Sequence, residues 1–312
     1  MNKVNYAVID IGTLKVKFLV AQVLGIGEIK EVYFSNNLTC FGCNMDETGG
    51  YISEKNLQAT INELLRCKKI LKELDVAKFK VVSTHALRNA KNREEVKKQM
   101  EERTGFQIDN ISQDQEALLF FQAVMSGFPD KQNDFTVVDV GGGSVQVLIG
   151  NKNNLKFVHR MQSGGQFLHE NFTKNPHRED SFTTEEDIEN MRKYLLEQLM
   201  SVPAGLKTPI IYGSTCIIDL MKAMNIPLES YPESKTHPFK TYANALEEFI
   251  KKVLPLSYKE REQNFPFQYG YVWGIDKAFL NIATLAEKIE SPFIIPSNAN
   301  VSQGILYSMV NK

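Results

Sequence analysis

Two stretches of the chain place an acidic side chain, glycine and a hydroxyl at the end of a β-branched run. The first is Val8-Ile9-Asp10-Ile11-Gly12-Thr13. The second is Val138-Asp139-Val140-Gly141-Gly142-Gly143-Ser144. A further β-rich run follows each, at residues 15–23 and 145–149. Glycine turns of this kind leave backbone N–H groups facing outward, and such a concavity binds anions because the amides carry partial positive charge. A plain hairpin would also use these glycines; the preceding aspartate and the repetition favour chemistry. Asp10 and Asp139, facing one another across an interdomain cleft, could hold a hydrated Mg²⁺ that orients phosphate oxygens. The chemistry to look for is therefore phosphate binding or phosphoryl transfer.

The elements that must position these turns follow from periodicity. Residues 4–9 and 15–23 read as strands joined by the turn at Gly12, with a third strand over 31–34. An amphipathic helix follows over 54–74, with Leu57, Ile61, Leu64, Leu65 and Leu71 on one stripe. Residues 79–83 and 107–111 read as strands, with a charged helix over 92–103 between them. Ser112-Gln113-Asp114-Gln115 has the S-x-x-Q form of a capping box, so Ser112 opens a helix whose first turn carries Glu116. The pattern restarts with strands at 135–138 and 145–149. Thr183-Thr184-Glu185-Glu186 reads as a second capping box, opening a helix to about Met200. Beyond it lie a strand at 209–212, a helix after Gly213-Ser214-Thr215, helices over 242–253 and 271–289, a strand at 293–295 and a last helix over 301–310. The repeated strand–turn–strand unit implies an internal duplication. Domain one is expected at 1–121, completed by a C-terminal helix at about 299–312, and domain two at 122–298.

Bulk properties narrow the class. A chain of 312 residues with 43% hydrophobic and 23% charged residues has room for two cores. A net charge of -1 argues against a general nucleic-acid binder, while a few cations in one cleft still suffice for a polyanion. No apolar run nears the ~18 residues of a membrane-spanning helix. Residues 1–6 lack the apolar stretch of a signal peptide, so a cytoplasmic location is expected. Four cysteines do not make a disulfide framework in a chain this long. Cys40-Phe41-Gly42-Cys43 offers only two of the four ligands of a structural zinc and lacks a thioredoxin-like setting, and reads as two incidental loop cysteines.

Taken together, the motifs resemble the exopolyphosphatase / guanosine pentaphosphate phosphatase (Ppx/GppA) family, in its short two-domain form. The resemblance rests on the two aspartate turns, on Thr84-His85-Ala86-Leu87-Arg88-Asn89-Ala90-Lys91-Asn92-Arg93, and on Ile111-Ser112 through Glu116-Ala117. Ser163-Gly164-Gly165-Gln166 and Ser302-Gln303-Gly304-Ile305-Leu306 fall where that family has comparable segments. The resemblance implies a duplicated actin-like (ribonuclease H-like) α/β fold of the acetate and sugar kinase/Hsp70/actin superfamily, with an interdomain cleft. It implies a hydrolase that releases terminal phosphate from polyphosphate or guanosine pentaphosphate. It further implies Glu116 as the group that positions or deprotonates water, and Asp10 and Asp139 at the metal site. Arg88, Thr13, Gly141, Gly142, Gly143 and Ser144 fall to phosphate binding. Magnesium is the implied cofactor and a homodimer is plausible; neither nucleic acid nor membrane is an implied partner. His85 lies in the second motif, where the family does not require histidine.

The chain departs from the family's pattern at the chemistry. Gln146 stands where the family has a glutamate, and Leu14 and Lys15 stand where it has asparagine and a hydroxyl. The family's arginine two residues past the catalytic glutamate is Leu118, its Ser-Gly-Thr segment is Ser214-Thr215-Cys216, and its closing Arg/Lys-Glu-Gly is Ser302-Gln303-Gly304. Two readings follow. One is a working phosphatase with a modified metal site. The other is a weakened or inactive member that binds a phosphorylated ligand as a regulator. Lys15 could place its ammonium where a metal cation would sit, against Asp10 or Glu116; a solvated strand lysine is the alternative. A kinase of the same superfamily would need a nucleoside motif, which the sequence does not offer.

Overall fold

A continuous apolar run forms a strand only where both of its faces are covered. Asn5–Ile11 (β1) meets that condition, since every side chain from Ala7 to Ile11 is buried. It is the centre of a five-stranded sheet. Lys15–Gly25 (β2) and Glu28–Leu38 (β3) follow as an antiparallel meander. Val76–Ser83 (β4) and Ile108–Asn110 (β5) then pair parallel on the other side. Parallel pairing needs crossovers. Glu54–Glu73 (α1) supplies one; His85–Asn89 (α2) and Arg93–Thr104 (α3) supply the next. Gln113–Met125 (α4) leads out of the sheet.

The second sheet repeats the plan. Phe135–Val140 (β6), Val145–Asn151 (β7) and Asn154–Met161 (β8) form the meander. Gly165–Phe172 (α5) and Glu185–Gln198 (α6) cross over to Ile210–Gly213 (β9). Ile217–Ala223 (α7), the two-residue strands Glu229–Ser230 (β10) and Phe239–Lys240 (β11), and Ala243–Val253 (α8) come next. Tyr258–Asn264 (α9) and Ile275–Ile289 (α10) precede Ile294–Ser297 (β12). Val301–Val310 (α11) closes the chain. The strand orders are β3-β2-β1-β4-β5 and β8-β7-β6-β9-β12, which are the same order in sequence terms. This is the expected duplicated actin-like α/β fold.

This computed structural model describes all residues except 1–3, 26–27, 129–132, 177–178, 235, 268–271, 273 and 311–312. The chain forms two compact units, Met1–Ala123 with Val301–Lys312, and Val124–Asn300, each with its own apolar core. In the first, the apolar face of α1 covers the sheet with Leu57, Ile61, Leu64, Cys67 and Leu71. Leu65 lies off that stripe and is 38% exposed, because the 3.6-residue period carries the stripe from Leu64 to Cys67 and Leu71. In the second, α10 is buried on nearly every side, and its expected start at Tyr271 falls outside the described residues. The cap of α6 is Thr184, paired with Asp187 as its capping-box partner, one residue later than the spacing suggested. Strand β8 and helices α5 and α9 appear where the sequence showed no clear period. No helix among the described residues is long and apolar enough to cross a membrane.

The second core encloses an ionic cluster. Arg261, Asp276 and Lys277 are fully buried. Asp276 Oδ2 lies 3.0 Å from Arg261 Nη1 and 3.1 Å from Lys277 Nζ, and Lys277 also donates to Thr183 Oγ1 at 2.6 Å. Burial pushes the Lys277 ammonium down to about 8, with Asp276 pulling the other way. Asp276→Asn leaves two buried cations without their carboxylate. Urea unfolding should show a loss of about 3–5 kcal/mol, as for other broken buried pairs; an unchanged midpoint would remove the cluster from the fold's stability.

His237 is another buried titratable group of the second unit. Its Nε2 lies 3.0 Å from the Val124 carbonyl, its ring packs on Phe128, and its Nδ1 has no partner. Burial pushes it from 6.5 down to about 4, against the pull of that carbonyl. The unfolded chain therefore takes up the proton first. The contribution is complete above about 6.5 and is lost as pH falls toward 4. The urea midpoint should fall more steeply between neutral pH and about 4.5 in the native protein than in His237→Gln.

Candidate phosphate-handling site

In the first unit, the turn after β1 is closed by a bond from the Gly12 amide to the Lys15 carbonyl, at 3.0 Å. A Cβ on Gly12 would sit 3.1 Å from that carbonyl, so glycine keeps the turn tight. The register then pairs Ile11 with Val16 and Asp10 with Lys17. Directly opposed side chains in an antiparallel pair are close neighbours. Asp10, buried at the strand end, accepts from Lys17 Nζ at 3.1 Å through Oδ2. Lys17 is thus a cation beside Asp10. Lys15, the lysine proposed for this role from sequence, stands two residues nearer the turn on the same face.

Parallel pairing of β1 with β4 sets Ile11 beside Ser83, and the Thr84 amide donates to the Ile11 carbonyl at 3.3 Å. Helix α2 begins there and carries Arg88. The Ile111 amide returns to the Ser83 carbonyl at 3.1 Å, so the third motif starts beside the second. Ser112 caps α4 as expected. Its Oγ accepts from the Gln115 amide at 3.2 Å, and Gln115 Oε1 accepts from the Ser112 amide at 3.1 Å. The cap fixes the first turn and places Glu116, which is 8% exposed. Arg88 holds this carboxylate through Nη2 at 2.9 Å and donates from Nη1 to the Ile111 carbonyl at 2.8 Å. Arg88, expected on phosphate, is thus engaged with Glu116. His85 is pushed down to about 4 by burial, with the Arg88 charge adding to it, and is neutral near pH 7.

One contributor escaped the sequence reading. The segment Cys40-Phe41-Gly42-Cys43 is a strap over the first turn. The Thr39 and Cys40 amides donate to the Leu14 carbonyl at 3.1 and 2.9 Å, and the Gly42 amide donates to the Thr13 carbonyl at 2.8 Å. Phe41 is fully buried in the core. A Cβ on Gly42 would lie 2.6 Å from Ala86 Cβ and 3.0 Å from Thr13 Cγ2. The strap therefore wedges the first motif against the second. A lone CxxC carries no periodicity, so only the chain's folding reveals this.

The second unit repeats the turn. The Gly141 amide donates to the Ser144 carbonyl at 3.0 Å, and the register pairs Asp139 with Gln146. Gln146 is therefore the counterpart of Lys17, and Ser144 of Lys15. The Gly141 carbonyl accepts from the Gly165 amide at 3.0 Å, and the Gly142 carbonyl accepts from the Gln166 and Phe167 amides at 2.9 and 3.0 Å. These are amides of the first turn of α5. With the loop carbonyls so engaged, no described acceptor takes the Gly142, Gly143 or Ser144 amide. Ser163, just before α5, is held to α10 by Asn281: the hydroxyl donates to Oδ1 at 3.0 Å, and Nδ2 donates to the Ser163 carbonyl at 2.8 Å.

Magnesium takes hard oxygen donors and usually keeps several waters. At the turn ends of these hairpins, the buried oxygens Asp10 Oδ1 and Gln146 Oε1 lack a hydrogen-bond partner. Each, taken within its own unit, fits a hydrated ion resting on one protein oxygen. A full protein cage is absent, since no group of three or more His, Cys, Asp or Glu among the described residues could hold a metal.

A duplicated actin-like fold with these turns defines a class, and comparison with known proteins narrows it. Residues 39–312 match the model of the Ppx/GppA phosphatase family. The chain belongs to that family. It is 27% identical over 176 residues to the bifunctional 3-dehydroquinate synthase/phosphatase of Fusobacterium nucleatum, covering 54% of this chain and 26% of that protein. It is 27% identical over 152 residues to exopolyphosphatase 2 of Mycobacterium tuberculosis, covering 46% of this chain and 47% of that one. The chain thus spans about a quarter and about half of the lengths of these curated relatives. Among solved structures, the Ppx/GppA family member of Aquifex aeolicus superposes with a TM-score of 0.76 at 25% identity, covering 99% of this chain and 98% of its own. An exopolyphosphatase of Cytophaga hutchinsonii shares the fold with a TM-score of 0.83 at 21% identity, covering 98% of each chain.

The glycine loop yields a direct prediction. A Cβ on Gly164 would meet the Gly142 carbonyl oxygen at 2.3 Å, its carbon at 2.4 Å and the Gly141 carbonyl oxygen at 2.6 Å. All three are backbone atoms, so the loop must move. Gly164→Ala should lose protection by tripolyphosphate in thermal unfolding and cost about 1–3 kcal/mol in stability. Undiminished protection would show that loop geometry does not govern phosphate binding.

Proposed function

We propose that the chain is a phosphohydrolase releasing terminal phosphate from polyphosphate or from guanosine pentaphosphate or tetraphosphate. The observation that carries the reading is Glu116, a buried carboxylate on a capped first helical turn, oriented by Arg88 at 2.9 Å. Phosphoryl transfer to water needs an oriented nucleophile and a proton acceptor. Glu116 takes the proton of the attacking water. The water oxygen forms its bond to the terminal phosphorus as the bridging P–O bond breaks. The shortened chain leaves as the phosphate anion. Arg88 positions Glu116, and its remaining N–H donors are available to phosphate oxygens. In the second unit, the outward amides of Gly142, Gly143 and Ser144, with the Ser144 hydroxyl, take phosphate oxygens. Thr13 is assigned the same task at the first turn.

In the first unit Asp10 Oδ1, and in the second unit Gln146 Oε1 beside Asp139, are each an oxygen that would take a hydrated magnesium ion. When bound, the ion supplies charge neutralisation for phosphate oxygens. Family membership supports the hydrolase reading, as does the similarity to exopolyphosphatase 2 of Mycobacterium tuberculosis. Four cysteines outside any disulfide support a cytoplasmic location.

Phosphate release from long-chain polyphosphate with magnesium tests the proposal. Glu116→Gln keeps the shape of the side chain and should lower kcat by about 10²–10⁴-fold, the usual share of a general base. Circular dichroism should show the same fold. Equal rates in the two proteins would remove Glu116 from the chemistry. No release from either, with tripolyphosphate still raising the melting temperature, would make the chain a phosphate-binding regulator.

A further inference from the structure

The Cys40–Cys43 strap is chemistry that the hydrolase reading leaves unused. The Cys43 amide donates to the Cys40 carbonyl at 3.0 Å, which closes a four-residue turn. Such a turn keeps its end Cα atoms within about 7 Å, and disulfides span Cα separations of about 4.4–6.8 Å. The two thiols differ in access. Cys40 is half-exposed and Cys43 is buried. The other two cysteines sit elsewhere: Cys67 is within α1, fully buried, and Cys216 precedes α7.

The strap bears on the first turn through the three amides that donate to the Thr13 and Leu14 carbonyls, and through Gly42, pressed against Ala86 and Thr13. Asn56 of α1 adds a bond to the Cys43 carbonyl at 3.2 Å. Cys40 holds φ at 51°, in the left-handed region where a residue with a side chain is uncommon. The backbone here has little slack, so a covalent tie between residues 40 and 43 is transmitted to the turn beside Asp10.

We propose that Cys40 and Cys43 form a reversible dithiol–disulfide switch, oxidised by hydroperoxides, that resets the turn carrying Asp10, Gly12 and Thr13. The Cys40 thiolate attacks the peroxide oxygen, breaking the O–O bond and giving a sulfenic acid and hydroxide. The Cys43 thiol then attacks the Cys40 sulfur, the S–S bond forms, and the sulfenic oxygen leaves as water. Overall two thiols lose two electrons and two protons, and one hydrogen peroxide becomes two waters. A dithiol reductant reverses it. The regulatory consequence rests on the hydrolase reading; the bond itself does not.

The test uses the full chain. Trypsin releases both cysteines in one peptide, Glu31 to Lys55, which contains neither Cys67 nor Cys216. After hydrogen peroxide and then N-ethylmaleimide, this peptide should appear unalkylated and lighter by two hydrogens. Dithiothreitol should restore double alkylation. Cys43→Ser should leave Cys40 as a sulfenic acid trapped by dimedone, and Cys40→Ser should leave Cys43 unoxidised. Hydrogen exchange should change at Thr39, Cys40 and Gly42 in the oxidised native protein, and polyphosphate hydrolysis should be lost and then regained on reduction. Two cysteines that stay alkylatable, or over-oxidation of Cys40 without a bond, overturn the proposal. A bond that leaves both exchange and hydrolysis unaltered overturns the switch. If the reduced protein releases no phosphate at all, mass and exchange still decide the switch while the hydrolase reading fails separately.

Discussion

One hydrogen bond recurs on which the arrangement depends: a glycine amide to the carbonyl three residues on, at 3.0 Å in both turns. It sets the length of the turn, and the turn length sets the register of the hairpin. Once Ile11 faces Val16 and Val140 faces Val145, the aspartates can only face residues 17 and 146. The Cβ of any other residue at Gly12 or Gly141 would crowd the accepting carbonyl at 3.1 Å. The identity of each aspartate's neighbour is thus a consequence of backbone closure. A substitution at 17 or 146 changes the charge beside an aspartate while the geometry stays fixed.

The two turns then divide their polar groups in the same way. A strand-to-strand turn carries both donors and acceptors, and an anion site needs the donors left open. In the second unit, the first-turn amides of α5 take the Gly141 and Gly142 carbonyls. A helix end offers such amides because they have no partner within the helix. In the first unit no helix starts at that place, and the strap at Cys40 does the same work on the Thr13 and Leu14 carbonyls. Duplication kept the turn and changed its support. The glycines at 42 and 164 follow from this, since each support must approach a backbone closely.

Much of this was legible in the sequence because it is written in local chemistry. The β-branched runs ending in Asp10 and Asp139, the capping box at Ser112 and the stripe of α1 all declare themselves within a few residues. The position of Glu116 followed from the cap alone. Other features live in longer separations. The strap's function depends on residues 13, 14 and 86, far from it along the chain. Strand β8 mixes Lys156, His159 and Arg160 with half-buried apolar residues, so its period is blurred at a sheet edge. Helix α5 opens on Gly164-Gly165 without a side-chain cap, because its first amides serve the glycine loop instead of a capping oxygen. The choice of Lys17 over Lys15 as the neighbour of Asp10 was within reach. A four-residue turn pairs 11 with 16 and hence 10 with 17, and direct cross-strand neighbours outrank diagonal ones.

If the proposed function holds, the charge at each of these paired positions sets how its own turn meets a polyanion. Lys17 neutralises Asp10 within the first hairpin, at 3.1 Å. Gln146 contributes an oxygen and no charge beside Asp139. A carboxylate at 146 would raise the affinity for a divalent cation, and would also repel every phosphate of a long substrate until that cation arrived. An amide lowers both effects together. On the proposed function, the loss in metal attraction would be offset in part by reduced repulsion, because a buried amide oxygen can still coordinate and does not need a counterion. The Gly142, Gly143 and Ser144 amides would then, on the proposed function, carry a larger share of phosphate recognition. That contribution would persist without metal, since backbone dipoles are fixed by the fold. The closely packed supports at Gly42 and Gly164 are consistent with that burden, for a cradle made of backbone works only while the backbone is held still.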